Sequence, residues 1–176
     1  MLPSYCKYTQ MFETHVPGGQ NKAQQDRLKA LMGNTFYALH HYCWGLMNTN
    51  RGVLLARTAQ YRQLYLRASI TEFDYVIQRA PQDFVLLPEI LTRKGENLIR
   101  LGQGSFAVPE LRRAMELKPD YWPPYAALSD YYKSAGQADQ AREILEKGLA
   151  VMPGEKALKA RLSSTAVPKH TSKRSE

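Results

Sequence analysis

His40, His41 and Cys43 bring ligand-type and nucleophilic atoms together, and Cys6 and His15 lie upstream of them. On a helix, His40 and Cys43 share a face at i, i+3 while His41 points elsewhere, so the helix itself offers two good ligands. Adding Cys6 and His15 completes a four-ligand zinc set. A haem site, or a Cys43/His40 nucleophilic pair, would use the same atoms. The plainer reading is a packed helix in which Cys43 is either a core thiol or bridged to Cys6. A bridge would close a loop of about 37 residues, contribute roughly 3–4 kcal/mol in the chain-entropy model, and require an oxidising compartment. That requirement favours export to the periplasm over the cytoplasm. No orienting carboxylate or oxyanion hole accompanies the cluster, so the chain reads as no enzyme, with no metal or cofactor assigned.

Other chemistries fail on spacing. Gly102-Gln103-Gly104 follows no strand and lacks a following Lys-Ser or Lys-Thr, so it is a turn and not a phosphate cradle. Glu110, Glu116, Asp139, Glu143 and Glu146 scatter along helical patterns, Glu143 four residues before Lys147, as on a solvated face. Tyr121, Trp122, Tyr125, Tyr131 and Tyr132 fall at helix starts and packing positions without an RNA-binding strand pattern. They read as core or groove residues, and no nucleic-acid partner is expected.

The elements that position these residues come from 176 residues that are 44% apolar and 23% charged, an ordinary globular balance. No apolar run approaches the length of a membrane span. Net charge is +8, but six Lys or Arg against two Glu from Glu155 to Glu176 place +4 of it in the last 22 residues. The body is only mildly basic. The opening Met1-Leu2-Pro3-Ser4-Tyr5-Cys6 has no basic segment followed by an apolar stretch, so no signal peptide is expected. A leader removed ahead of residue 1 would look the same.

Self-similarity organises the rest. Gly102 and Gly136, Ala107 and Ala141, Leu111 and Leu145, and Pro119 and Pro153 all lie 34 residues apart, as do Leu91 and Tyr125. Gly95 corresponds to Ser129, Leu98 to Tyr132, and Ala114 to Gly148. Small positions stay small and large ones stay large. This pattern resembles the tetratricopeptide repeat family, whose unit is two antiparallel helices, with Leu91, Gly95, Leu98, Ala107, Leu111, Ala114 and Pro119 on signature positions. Tyr125, Leu128, Ser129, Tyr132, Ala141, Leu145, Gly148 and Pro153 match in the next unit. Lys94 departs from it, standing where the family usually has Leu.

The physics beside the resemblance is that undersized residues at Gly95, Ser129, Ala107 and Ala141 let two helices cross closely. Gly102 and Gly136 can end a first helix in the left-handed conformation, and Pro119 and Pro153 stop the second. Pro88, Pro123 and Pro124 sit in first turns. Pro109 falls inside a helix, which is expected to start late or bend there. Upstream, His40 to Leu46 with Gly45 at the small position, and Ala68 to Pro81, form a stretched copy. Gly45 to Pro81 is 36 residues where Gly95 to Pro119 is 24, an insertion of 12 near Arg51 to Leu66. Extended helices or an extra turn would absorb it.

The expected fold is all-α, a solenoid of antiparallel helix pairs with two regular repeats and one stretched repeat. Residues 1–34 form an N-terminal extension with a short helix from Asn21 to Leu31 closed by Gly33. Residues 35–87 form the stretched unit, 88–121 and 122–155 the regular units, 156–163 a capping helix, and 164–176 a basic disordered tail. A role for that tail on an anionic partner or lipid surface is a minor alternative.

The resemblance implies a concave groove lined by the second, fifth, ninth and twelfth places of the first helices. Here these are Glu89, Thr92, Glu96 and Ile99, then Pro123, Ala126, Asp130 and Lys133, with Tyr42 and Leu46 in the stretched unit. Thr92, Glu96, Ala126 and Asp130 stand where the family's chaperone-tail binders use Lys and Asn, which argues against that ligand. Glu89, Glu96 and Asp130 imply a partly acidic groove suited to a peptide with basic or neutral polar groups. The expected function is non-enzymatic: holding a peptide or partner subunit, as a scaffold or assembly factor, with the cell envelope a setting suggested by resemblance to small bacterial repeat proteins. The alternatives are a metal- or haem-binding protein using Cys6, His40 and Cys43, and a self-associating structural module.

Overall fold

The structure, a computed structural model, describes residues 2–165, and among these every regular element is helical. Asn21 caps the first helix, α1 (Lys22–Met32), by accepting a hydrogen bond from the Gln24 N–H, and Gly33 ends it at φ 58°. A 3₁₀ stretch, Gly33–Ala38, leads into α2 (Leu39–Asn50). A π-helical turn (Arg51–Leu55) follows, then α3 (Ala59–Ile77), whose Thr58 cap accepts from the Tyr61 N–H. The regular pairs are α4 (Leu87–Arg100) with α5 (Gly104–Leu117), and α6 (Pro123–Ser134) with α7 (Ala138–Val151). The last helix is α8 (Lys156–Ser164). The basic tail expected from residue 164 lies, apart from its first two residues, outside the described residues.

Two compact units part between Lys118 and Pro119. In the first, α2 packs on α3, α3 on α4 and α4 on α5. Its core holds Phe36, Leu39, Tyr42, Phe73, Val76, Leu87, Ile90, Leu91 and Ala114. The small residues are where the helices touch. A Cβ on Gly45 would lie 2.3 Å from the Phe73 ring, and one on Gly95 would lie 2.7 Å from Leu111 Cγ. In the second unit α6 packs on α7 and α7 on α8, burying Tyr125, Leu128, Ala141, Leu145 and Leu158. There a Cβ on Gly148 would meet Leu158 at 2.7 Å and Tyr125 at 3.0 Å. The helix α8 buries Leu158 and leaves Lys156 and Lys159 in water, one face dry and one wet.

Gly102 and Gly136 each sit at φ 74°, ending α4 and α6 in the left-handed conformation. Pro88, Pro123 and Pro124 occupy first turns, where the missing donor costs little. Pro109 is the departure. The helix α5 runs from Gly104 to Leu117 with Pro109 inside it, so its start is not delayed. The insertion is absorbed twice over: α2 runs on into the π turn, and α3 begins well ahead of its counterpart helices. All residues from 57 to 64 are exposed, so the surplus chain projects from the unit.

Residues 2–19 lie against α2. Their 3₁₀ turn, Ser4–Tyr8, carries Cys6, which is disulfide-bonded to Cys43 with the Cα atoms 5.8 Å apart. Phe12, Leu2, Val16, Trp44 and Met47 pack around the bridge. No helical period runs through this segment because short turns, pinned at one covalent point, build it.

Candidate functional site

The ligand cluster read from the sequence is dismantled by its own contacts. Cys6 and Cys43 spend their sulfurs on each other. His15 Nδ1 lies 2.7 Å from the Met11 carbonyl at the surface. His41 Nδ1 pairs with Glu72 Oε2 at 2.6 Å, and its ring stacks on Tyr75 with centroids 3.7 Å apart. Arg79 lies over the other side of Tyr75, 3.6 Å from its ring centre. His40 packs edge-on against Trp44; its burial, and then His41 beside it, hold its pKa below the ordinary histidine value. Among the described residues no three His, Cys, Asp or Glu side chains gather around a common point. With both thiolates consumed, the metal or haem reading loses the ligands it depended on.

The groove places fare unevenly. Tyr42 is fully buried and donates from its hydroxyl to Glu89 Oε1 at 2.7 Å, linking α2 to α4. Burial, and then the neighbouring Glu89 charge, raise its pKa well above the ordinary tyrosine value, so the phenol stays a donor. Thr92 is buried too and bonds back to the Pro88 carbonyl at 2.7 Å. Ala126 is buried on α6. Tyr42, Thr92 and Ala126 therefore present no open surface, because neighbouring helices or the N-terminal segment already cover the places they occupy. Leu46, Glu89, Glu96 and Ile99 are half-buried, as is Pro123, while Asp130 and Lys133 are exposed.

The expected acidity is also reduced. Glu96 sits 3.4 Å from Arg93 and 3.7 Å from Arg100 on its own helix. Asp130 accepts from Arg161 Nε through both oxygens, at 3.0 and 3.1 Å. Lys133 donates to the Ser164 carbonyl and hydroxyl at 3.2 Å, so α8 engages two groove places of α6. Each of the groove carboxylates Glu89, Glu96 and Asp130 thus has a partner within the chain.

Beside the groove places of the first unit lies a cleft of ≈ 340 Å³ lined by Leu2, Pro3, Leu46, Thr49, Asn50, Glu89 and Arg93. Leu46 and Glu89 were legible from the repeat register. Thr49 was within reach, being the twelfth place of the same helix. Leu2 and Pro3 come from the N-terminal extension, which no repeat register could place.

Beneath the cleft the helices are locked by polar contacts. Thr49 and Ser69 hydroxyls lie 2.8 Å apart, and Asn97 Nδ2 donates toward both, at 2.7 and 2.8 Å. Arg100 donates to Asn97 Oδ1 at 2.9 Å, so a side chain buried among three helices is satisfied at both ends. Lys94, the departure from the repeat pattern, has its own explanation. Its ammonium lies 2.6 Å from Asp74 on α3 and 2.7 Å from Glu110 on α5. Burial alone would lower its pKa, but these two hydrogen bonds outweigh burial and raise it. A cation clamps three helices where the family places an apolar contact.

Compared with known families, residues 98–162 match the tetratricopeptide repeat. That stretch, from the end of α4 into α8, is tetratricopeptide repeat sequence. A search of curated proteins returned no match. Tetratricopeptide repeats mediate protein–protein interaction, and the family is typically non-enzymatic. The face of α2 and α4 that carries groove places forms the cleft, which is lined by apolar Leu2 and Leu46 and by polar Thr49, Asn50, Glu89 and Arg93. No helix among the described residues is long and apolar enough to cross a membrane.

Proposed function

We propose that the chain is a non-enzymatic interaction module that holds a peptide segment or partner subunit on its first-helix faces, in a scaffolding or assembly role. The observation that carries this reading is the cleft over α2 and α4, because an extended stretch of the chain itself, Leu2-Pro3, already forms one of its walls. A surface that packs against extended backbone in cis suits a second strand of similar character in trans. Leu46 supplies an apolar contact, Thr49 and Asn50 supply hydrogen-bonding groups, and Glu89 and Arg93 supply one charge of each sign. Such a rim favours a neutral polar peptide with an apolar anchor over a strongly basic one. Leu46, Glu89, Glu96 and Ile99 are the residues proposed to contact it in the first unit, and Asp130 and Lys133 are the places proposed for the second unit taken by itself.

The test is charge reversal at two of these places. Glu96→Lys together with Asp130→Lys removes the carboxylates that hold Arg93, Arg100 and Arg161 in place, on helix faces that tolerate polar substitution. Capture of the partner by the purified double variant should be lost while the helical circular dichroism stays unchanged. Undiminished capture would move the site away from the first-helix faces.

A further inference from the structure

The 12-residue surplus of the stretched repeat has no role in the cleft, and its composition is unlike the rest of the surface. Val53, Leu54 and Leu55 form an aliphatic triplet in the π turn, exposed by 43%, 72% and 71%. Tyr61 and Leu64, one turn apart at the start of α3, are exposed by 56% and 57%. None of these side chains belongs to the buried core. The backbone beneath them is nevertheless well held. The Ala56 N–H donates to the Arg51 carbonyl at 2.8 Å, Thr58 caps α3, and buried Gly52 presses the turn against Leu66 and the Arg62 carbonyl. A rigid projection that ends in exposed leucines marks a docking surface.

Charge indicates what covers it. Residues 51–71 contain Arg51, Arg57, Arg62 and Arg67 and no Asp or Glu, and the acid-free stretch extends from residue 27 to residue 71. All four arginines are exposed. An apolar tip ringed by uncompensated arginines is complementary to a surface that is anionic outside and hydrocarbon within. Five apolar side chains on a projecting turn are also far fewer than the roughly 20–30 residues per side of a stable protein interface. They suffice for shallow insertion assisted by charge. We propose that the Arg51–Leu64 projection docks the protein on an anionic lipid bilayer, with Val53, Leu54 and Leu55 entering the headgroup boundary. Tyr61 and Leu64 follow them in, and the arginines pair with lipid phosphates.

The test is co-sedimentation of the full chain with vesicles of equal phosphatidylglycerol and phosphatidylcholine, beside vesicles of phosphatidylcholine alone. The chain should sediment with the anionic vesicles only, and less so as salt is raised. Leu54→Gln with Leu55→Gln should lower the partition coefficient at least about tenfold, at roughly 0.8 kcal/mol per buried methylene. Arg57→Gln with Arg62→Gln should lower it roughly fivefold per arginine. An environment-sensitive dye on Leu54→Cys should brighten with anionic vesicles, and the same dye on Glu143→Cys of α7 should not. The proposal is overturned if the native chain ignores anionic vesicles. It is overturned equally if the Leu54/Leu55 variant binds them as tightly as the native chain, which would place binding on other cations such as Lys169, Lys173 and Arg174. It also falls if the leucines prove to mediate self-association, seen as a dimer that the Leu54/Leu55 variant reduces to monomer.

Discussion

Replacing Gly45 by Ala adds one methyl where α2 crosses α3, and the geometry fixes what it meets. The new Cβ would lie 2.3 Å from Phe73 Cε1, 2.5 Å from Cδ1 and 3.2 Å from Cζ. Carbon atoms in favourable contact stand about 3.5–4.0 Å apart, so the overlap exceeds about 1 Å. Phe73 is fully buried and tilts against Tyr42 with ring centroids 5.6 Å apart, so it has little room to retreat. Overpacking of this kind costs about 1–3 kcal/mol, with this site near the upper end. Removing a glycine from a helix returns up to about 1 kcal/mol. The net loss is about 2 kcal/mol, or roughly 4–8 °C in melting midpoint for a chain of this size. Gly154→Ala is the matched control, because nothing lies within 4 Å of its Cβ. Thermal melts followed by circular dichroism should show Gly45→Ala lowered and Gly154→Ala unchanged or raised. Equal midpoints for the two variants would refute close crossing through an undersized residue.

Two further predictions concern covalent and ionic ties. Lys94→Leu, which supplies the residue usual in the family, should destabilise the protein by about 1–2 kcal/mol, discounted from a buried pair because all three side chains keep some solvent contact. It would leave Asp74 and Glu110 without the cation between them. Because the folded-state Lys94 pKa is raised, its contribution is present at neutral pH and is lost as pH climbs through that raised value. Urea midpoints of the native chain and the variant should therefore converge in strong alkali, and a gap independent of pH would contradict the clamp. For the bridge, a thiol count on denatured, unreduced protein should find none, and reduction should cost about 3–4 kcal/mol for a loop of this length. Trypsin should then cut at Lys7 far faster with reductant than without it, and equal cutting would show that the bridge does not hold the segment.

The repeat register was legible because it rests on size. Gly45, Gly95 and Gly148 are small where a Cβ would strike Phe73, Leu111 or Leu158, and the same constraint recurs 34 residues apart as Gly95 with Ser129 and Ala114 with Gly148. The end of α1 at Gly33 was legible because a glycine can take the positive φ found there, whereas Asn21, read as the first helical residue, proves to be the cap outside it. The site was less so. Counting places along α2 and α4 assigns Tyr42 and Thr92 to an open groove, but counting knows only the repeat and not the segment or helix lying over it. Tyr42 is enclosed by Phe73 of α3 and by Glu89 of α4, to which its hydroxyl donates. Lys94 looked like a flaw in the pattern because its partners, Asp74 and Glu110, lie 20 and 16 residues away in the sequence. Pro109 was expected to delay or bend its helix from local geometry alone, and the helix starts ahead of it at Gly104.

The proposed holding of another chain rests on the cleft over α2 and α4. A photo-crosslinking side chain at Asn50, in the cleft wall, and the same side chain at exposed Gln140 on α7 would address it. Adducts with a bound polypeptide from position 50 and none from position 140 are the predicted result. Adducts from position 140 with none from position 50 would contradict it.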